Sequence, residues 1–175
     1  MTLIKSKNQK SPSWQRAQGG YTLIELVFYV TLFAILSLAV INSLITMTKA
    51  FKETAIQIEL AQGGDIMEKI SREVRKASEI NTISANSLLL NTKDDEGADK
   101  TVEFLLSDSN VQFIENSIVT GNLNASGVIV TDLAFGQIST TEGSAVKINL
   151  TIRSNKDTLN RTINFYNTVV LRGGY

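Results

Sequence analysis

The chain has 175 residues, enough for one modest domain with an appended segment, and its 17 Lys and Arg balance 17 Asp and Glu. That balance provides no bulk field for nucleic acid. With no Cys and no His, disulfide frameworks, thiolate nucleophiles, His-based triads and the usual zinc sites are excluded.

The charge is unevenly placed along the chain. The first twenty residues carry Lys5, Lys7, Lys10 and Arg16 and no acid, which leaves 13 basic against 17 acidic groups after them. Between Arg16 and Lys49 the single charged side chain is Glu25. From Leu26 to Met47 the sequence reads LVFYVTLFAILSLAVINSLITM, without charge, Gly or Pro. A helix of about 20 apolar residues crosses the hydrocarbon of a bilayer, so this run is long enough. Thr31, Ser37, Asn42 and Ser43 form no continuous polar stripe of the kind a soluble surface helix would show. The basic flank should stay in the cytoplasm and put the C-terminal part across the membrane. A secretory signal peptide has its small-residue cleavage site after a shorter apolar stretch. Here the small residues, Gly19 and Gly20, come first, and TKAFKETA follows the run. The order is reversed.

Gly19 and Gly20 break any helix just ahead of the apolar run and leave unhindered backbone for a peptidase cleft. Glu25 needs a reason, because a carboxylate in a transmembrane segment costs about 2.5–3.5 kcal/mol at mid-depth and less near an interface. It has two: an acid in the first helical turn, favoured by the helix dipole, or a partner cation on another molecule. The octapeptide GGYTLIEL at residues 19–26 resembles the processing motif of type IV prepilins, the pilins and the pseudopilins of type II secretion. The resemblance implies that a membrane-embedded peptidase cuts between Gly20 and Tyr21 and that the Tyr21 amine is then methylated. It also implies that Thr22 and Glu25 serve assembly, Glu25 as the charged fifth residue of the mature chain. Tyr21 stands where Phe is commonest in that family. An N-terminal ammonium, with a reference pKa near 8, is then the partner for Glu25 of a staggered neighbour.

Beyond Met47 the pattern turns amphipathic. Ile66, Ile70, Val74 and Ala77 recur at helical spacing, and Glu68–Arg72 and Arg75–Glu79 stand four apart on the solvated side. One helix from Thr22 to Ser78 would extend roughly 85 Å. Gly63-Gly64 precedes DIMEKI instead of an apolar run, so it reads as a bend or local break in this helix and not as a second processing site. IMEKISREVRKAS resembles the helix end of J-type pseudopilins and PilW-like minor pilins.

After Ile80 the period changes to two. Val102, Phe104 and Leu106 alternate with polar neighbours, and Val146, Ile148, Leu150 and Ile152 do so most clearly. Further strands are expected at 87–92, 111–115 and 128–131, and the polar connector SNKDTLN should join the 146–152 strand to an antiparallel partner in TINFYNTVVL. TVVLRG resembles the closing strand of J-type and related pilin heads. The oxygen-rich stretch 93–99 admits a calcium loop, but it lacks EF-hand spacing and lies between strands, where a solvated turn is expected. Asn124, Asn149 and Asn160 head tripeptides of the glycosylation-acceptor type, which arise readily by chance.

The expected fold is α+β: a long N-terminal helix, its first half transmembrane, packed on a C-terminal antiparallel sheet head. The expected divisions are a removed leader at 1–20, a membrane or filament-core helix at 21–47, an amphipathic continuation at 48–80 and a β-rich head at 81–175. The resemblance implies a non-enzymatic subunit of a pilus-like or secretion filament, a minor pilin or pseudopilin without a cofactor. It implies a single-pass protein of the inner membrane, its N-terminus cytoplasmic and its head outside, that later enters an extracytoplasmic filament. Its partners would be prepilin peptidase, the inner-membrane assembly platform, other pilin or pseudopilin subunits and membrane lipid, with no nucleic acid. The J-like helix end, the absence of a C-terminal disulfide loop and Asn42 at a position where major pilins often carry a kinking Pro favour minor over major. Two expectations compete: a signal-anchored membrane protein whose outer domain binds a ligand and never polymerises, and an anchored hydrolase that uses carboxylates of the head.

Overall fold

A computed structural model describes residues 20–141 and 143–172 and divides the chain into two compact units, one ending at Thr46 and one beginning at Met47. A single helix, α1 (Leu23–Lys76), contributes to both.

In the first unit α1 begins where the sequence supplies a cap. The Glu25 N–H donates to Thr22 Oγ1 at 3.3 Å, and the Leu26 N–H donates to the Thr22 carbonyl at 3.1 Å. Thr22 is therefore the N-cap, and Glu25 stands at the third helical position, the sequence arrangement of a capping box. Two threonines of this unit bond back onto the helix: Thr31 Oγ1 donates to the Val27 carbonyl at 2.8 Å and Thr46 Oγ1 to that of Asn42 at 2.9 Å. The large apolar side chains from Leu23 to Ile45 are all exposed, so nothing in this unit covers them. This stretch is long and apolar enough to cross a membrane.

In the second unit α1 carries a buried stripe at 56, 60, 63, 67, 70 and 74, a spacing that keeps one face inward. It packs with two antiparallel sheets. One is a meander of β1 (Glu79–Ile83), β2 (Ser87–Lys93), β3 (Asp99–Ser107), β4 (Asn110–Glu115) and β5 (Ile118–Asn122). The other is β6 (Val128–Thr140), β7 (Gly143–Ser154) and β8 (Thr162–Val170) in that order. Alternate residues of the long strands turn inward: Leu88 and Leu90, Val102 and Phe104, then Val146, Ile148, Leu150 and Ile152 are all fully buried with Ile70 and Val74 of α1. This is the expected α+β architecture, an apolar N-terminal helix followed by antiparallel sheets.

Three details differ from the expectation. The helix ends at Lys76, not near residue 80; Ser78 donates to the Asn91 carbonyl, Glu79 already belongs to β1, and of the two anticipated helical ion pairs only Glu68–Arg72 forms, at 2.6 Å. The strand expected at 128–131 continues to Thr140, carried past Val130 by a bulge that keeps Leu133 and Phe135 inward. The helix also runs through Gly63-Gly64 without a break. Gly63 lies in the buried stripe, where the ring of Phe165 rests against the bare backbone and a Cβ would overlap it. At Gly64 a Cβ would meet nothing.

The two glycines thus predict opposite outcomes for the same substitution. Gly63→Ala forces the Phe165 ring away and is expected to destabilise the protein by about 1–3 kcal/mol. Gly64→Ala removes a helix-weakening residue at no steric cost and is expected to add about 0.5–1 kcal/mol. Thermal melting of the two purified variants checks the contrast.

Candidate processing and assembly segment

The residues singled out in the sequence meet at the start of α1. Gly20 and Tyr21 precede the first helical turn, outside any regular element, and both are exposed, Tyr21 to 80 %. Apart from its chain neighbours, no atom of the described residues lies within 4 Å of a Cβ built on Gly20. Backbone in this state is what a protease cleft accepts, since helical backbone has its groups engaged and its carbonyls turned along the axis. Gly19 and the basic residues Lys5, Lys7, Lys10 and Arg16 lie outside the described residues.

Thr22 and Glu25 are brought together by the cap: the hydroxyl of one receives the N–H of the other. Glu25 is half-buried against its own helix, while its neighbours Ile24 and Leu26 are exposed. Its carboxylate lies at the positive end of the helix dipole, a position worth about 0.3–1 kcal/mol to an acid. Hydrolysis of the Gly20–Tyr21 bond would place an ammonium at that same positive end. Glu25 is the one acid of the first turn able to offset it. The Thr22 cap was legible in the sequence as T-x-x-E ahead of an apolar run, although the resemblance alone assigned Thr22 only to assembly.

The other polar clusters of the second unit are committed to structure. Glu59, 8 % exposed on α1, accepts from Ser154 Oγ and from Lys156 Nζ, each at 2.5 Å. Burial pushes its pKa up, yet those two hydrogen bonds outweigh burial and hold it below the ordinary carboxylate value. Arg161 forks onto Glu53 at 2.8 and 2.9 Å and reaches the buried Asp157 at 2.8 Å. The Arg161 guanidinium, helped by the N–H groups of Leu159 and Arg161, lowers Asp157 to about 2. These contacts fasten the β7–β8 connection to α1. Asp94 turns its carboxylate onto the N–H groups of Glu96 and Ala98, which makes the 93–99 stretch a turn. No group of three or more metal-ligating acids occurs among the described residues. Asn124 is buried, accepting from the Val111 N–H and donating to the Val128 carbonyl, so its side chain is spent in packing.

Residues 15–41 match the family model described as the prokaryotic N-terminal methylation motif. Comparison with curated proteins and with solved structures gives no match.

Proposed function

We propose that this chain, whose methylation motif makes it a type IV prepilin-like substrate of prepilin peptidase, is a minor pilin or pseudopilin of a pilus-like or secretion filament. The motif and the apolar helix fit a structural protein anchored in the inner membrane. In this reading the peptidase removes residues 1–20 and methylates the Tyr21 amine. The helix from 21 to 47 holds the subunit in the membrane with its head outside until the assembly platform draws it among other subunits.

One observation carries the reading. In the first unit every large apolar side chain of α1 is bare, and the single charge of that stretch, Glu25, stands at the third helical position, beside the junction the motif covers. Bare apolar surface of this extent needs lipid or like helices around it. Once inside, the Glu25 carboxylate needs a cation, and a neighbour's Tyr21 ammonium supplies one if the helices pack with an axial stagger. An uncleaved chain has no such ammonium, so the pairing admits processed subunits alone. Methylation of the amine keeps its positive charge.

Mass spectrometry of the chain recovered from sheared filaments tests the proposal. The N-terminal peptide is expected to begin with N-methylated Tyr21. A native chain that starts at Met1, or one that never leaves the membrane fraction, would overturn it in favour of a signal-anchored protein that does not polymerise.

A further inference from the structure

We infer that β5 of a second copy of this chain adds to the open edge of β8, as a fourth strand of that sheet. The inference deepens the filament reading and rests on it, since assembly brings copies together. Both strands belong to the second unit. β8 is the outermost strand of its sheet, nine residues paired with β7 in one unbroken register, without a charge or a proline. Edges of that kind template a further strand, and proteins usually blunt them with Lys, Pro or a bulge. Just past β8 the Leu171 N–H donates toward β7, to the Ser144 carbonyl at 3.0 Å, so the even-numbered residues of β8 turn their N–H and C=O groups outward. The open side ends where the Arg172 N–H donates to the Arg75 carbonyl at 3.2 Å, and the Thr168 N–H is met by Asn167 Oδ1 at 2.9 Å. Asn164 and Tyr166 keep theirs without a partner among the described residues. Beside them a groove of about 290 Å³ runs between β8 and α1, with Gly64, Ser71, Phe165 and Tyr166 in its lining. A Cβ at Gly64 would meet nothing, so an incoming side chain has room there.

β5 is the matching half. It is the outermost strand of the five-stranded sheet, and Ile118 to Asn122 are all exposed, Ile118 to 71 % and Val119 to 55 %. A strand that buries neither face in its own subunit leaves β-branched apolar side chains in water. Its register with β4 skips Thr120, which leaves that backbone unpaired. β5 also lacks charge and proline, so no repulsion opposes its approach to β8, and being already extended it loses little freedom on pairing. The other edges suit the contact less. β6 is partly taken, its Val130 and Phe135 N–H groups bound to the Ser109 and Ala85 carbonyls, and β1 is mostly polar and carries Glu79. Because β5 and β8 are different surfaces, their pairing does not close on itself. Each copy offers one strand and receives another, the head-to-tail arrangement that yields an open array.

The chain has no Cys, so introduced thiols report alone. Val119→Cys and Asn164→Cys, both at exposed positions, are combined in the full chain, which is produced alongside its own assembly apparatus. It is treated with a short bismaleimide whose reach covers a shift of two residues, about 7 Å. A ladder of dimers, trimers and longer species is expected from the double variant and from neither single variant. Gly64→Leu, added to the double variant, fills the groove at a position where the subunit itself has open space. It is expected to reduce the ladder at least fivefold with no loss of thermal stability. Dimers from Asn164→Cys alone would mean that β8 pairs with itself, an adduct with a different protein would mean another occupant, and a ladder undiminished by Gly64→Leu would mean an unused groove. Each of these overturns the inference, as do monomers alone. Mass spectrometry of the N-terminus in the same sample separates the two readings: monomers that carry N-methylated Tyr21 overturn the strand contact and leave processing intact, whereas a chain starting at Met1 overturns the filament reading.

Discussion

Gly20→Ala is expected to leave the leader attached and to cut the mature product at least tenfold, seen as slower mobility on a denaturing gel and as retention in the membrane fraction. The expectation rests on where the added methyl would matter. Among the described residues it would matter nowhere, since none beyond its chain neighbours has an atom within 4 Å of that Cβ and the residue precedes the helix. The folded head, the cap and the apolar helix should be those of the parent. Any loss must then arise in the peptidase, where the backbone on the acyl side of the scissile bond has to fit closely, and where a tenfold effect needs only about 1.4 kcal/mol of transition-state binding. A normal amount of product of mature size from this variant would defeat the proposed cleavage site.

Glu25→Ala is expected to be cleaved normally and inserted normally, yet to fall at least tenfold in sheared filaments. Locally the substitution is mild: it forfeits an interaction with the helix dipole worth about 0.3–1 kcal/mol and leaves the Thr22 hydroxyl still capping the backbone. For the membrane it is favourable, because an apolar residue replaces a charge. The loss falls on the contact between subunits, where the neighbour's Tyr21 ammonium would be left in an apolar setting without an anion. Removing one partner of a buried ion pair costs about 3–5 kcal/mol, far more than the local terms. Glu25→Gln keeps the shape, removes the charge and should fail in the same way. Wild-type recovery of either variant from filaments would remove the pairing from the proposal.

The fold and the candidate segment were legible to different depths, for physical reasons. The apolar run and the β7 alternation Val146-Ile148-Leu150-Ile152 stand out because one extreme of hydropathy or one clean period dominates. β1 and β5 were missed because neither buries a full face: Ile118 to Asn122 are all exposed, and β1 is mostly polar. The tight turns flanking β4 were hidden as well, since Asp108-Ser109 and Asn116-Ser117 take up left-handed backbone without the glycine that usually announces a hairpin. The Gly63-Gly64 pair misled for the opposite reason. Intrinsic helix weakness is real, but the close seat of Phe165 on Gly63 turns it into a packing requirement that only the three-dimensional arrangement reveals. At the N-terminal segment the residue types alone located the glycine, the acid and the apolar helix, and the spacing T-x-x-E held the cap for a reader who looked for it.

The cap has a consequence for the order of events at the membrane. Because Thr22 closes the helix from the mature side of the proposed cut, severing the Gly20–Tyr21 bond takes nothing away that the helix depends on. In the proposed processing the helix that leaves the peptidase is already capped, with a single residue, Tyr21, ahead of its cap. The proposed entry into a fibre then requires no refolding step, and the new terminus would arrive at a fixed height, like a key cut to one length. Moving the cut one bond later would load the charge onto the capping residue itself and spoil both functions at once.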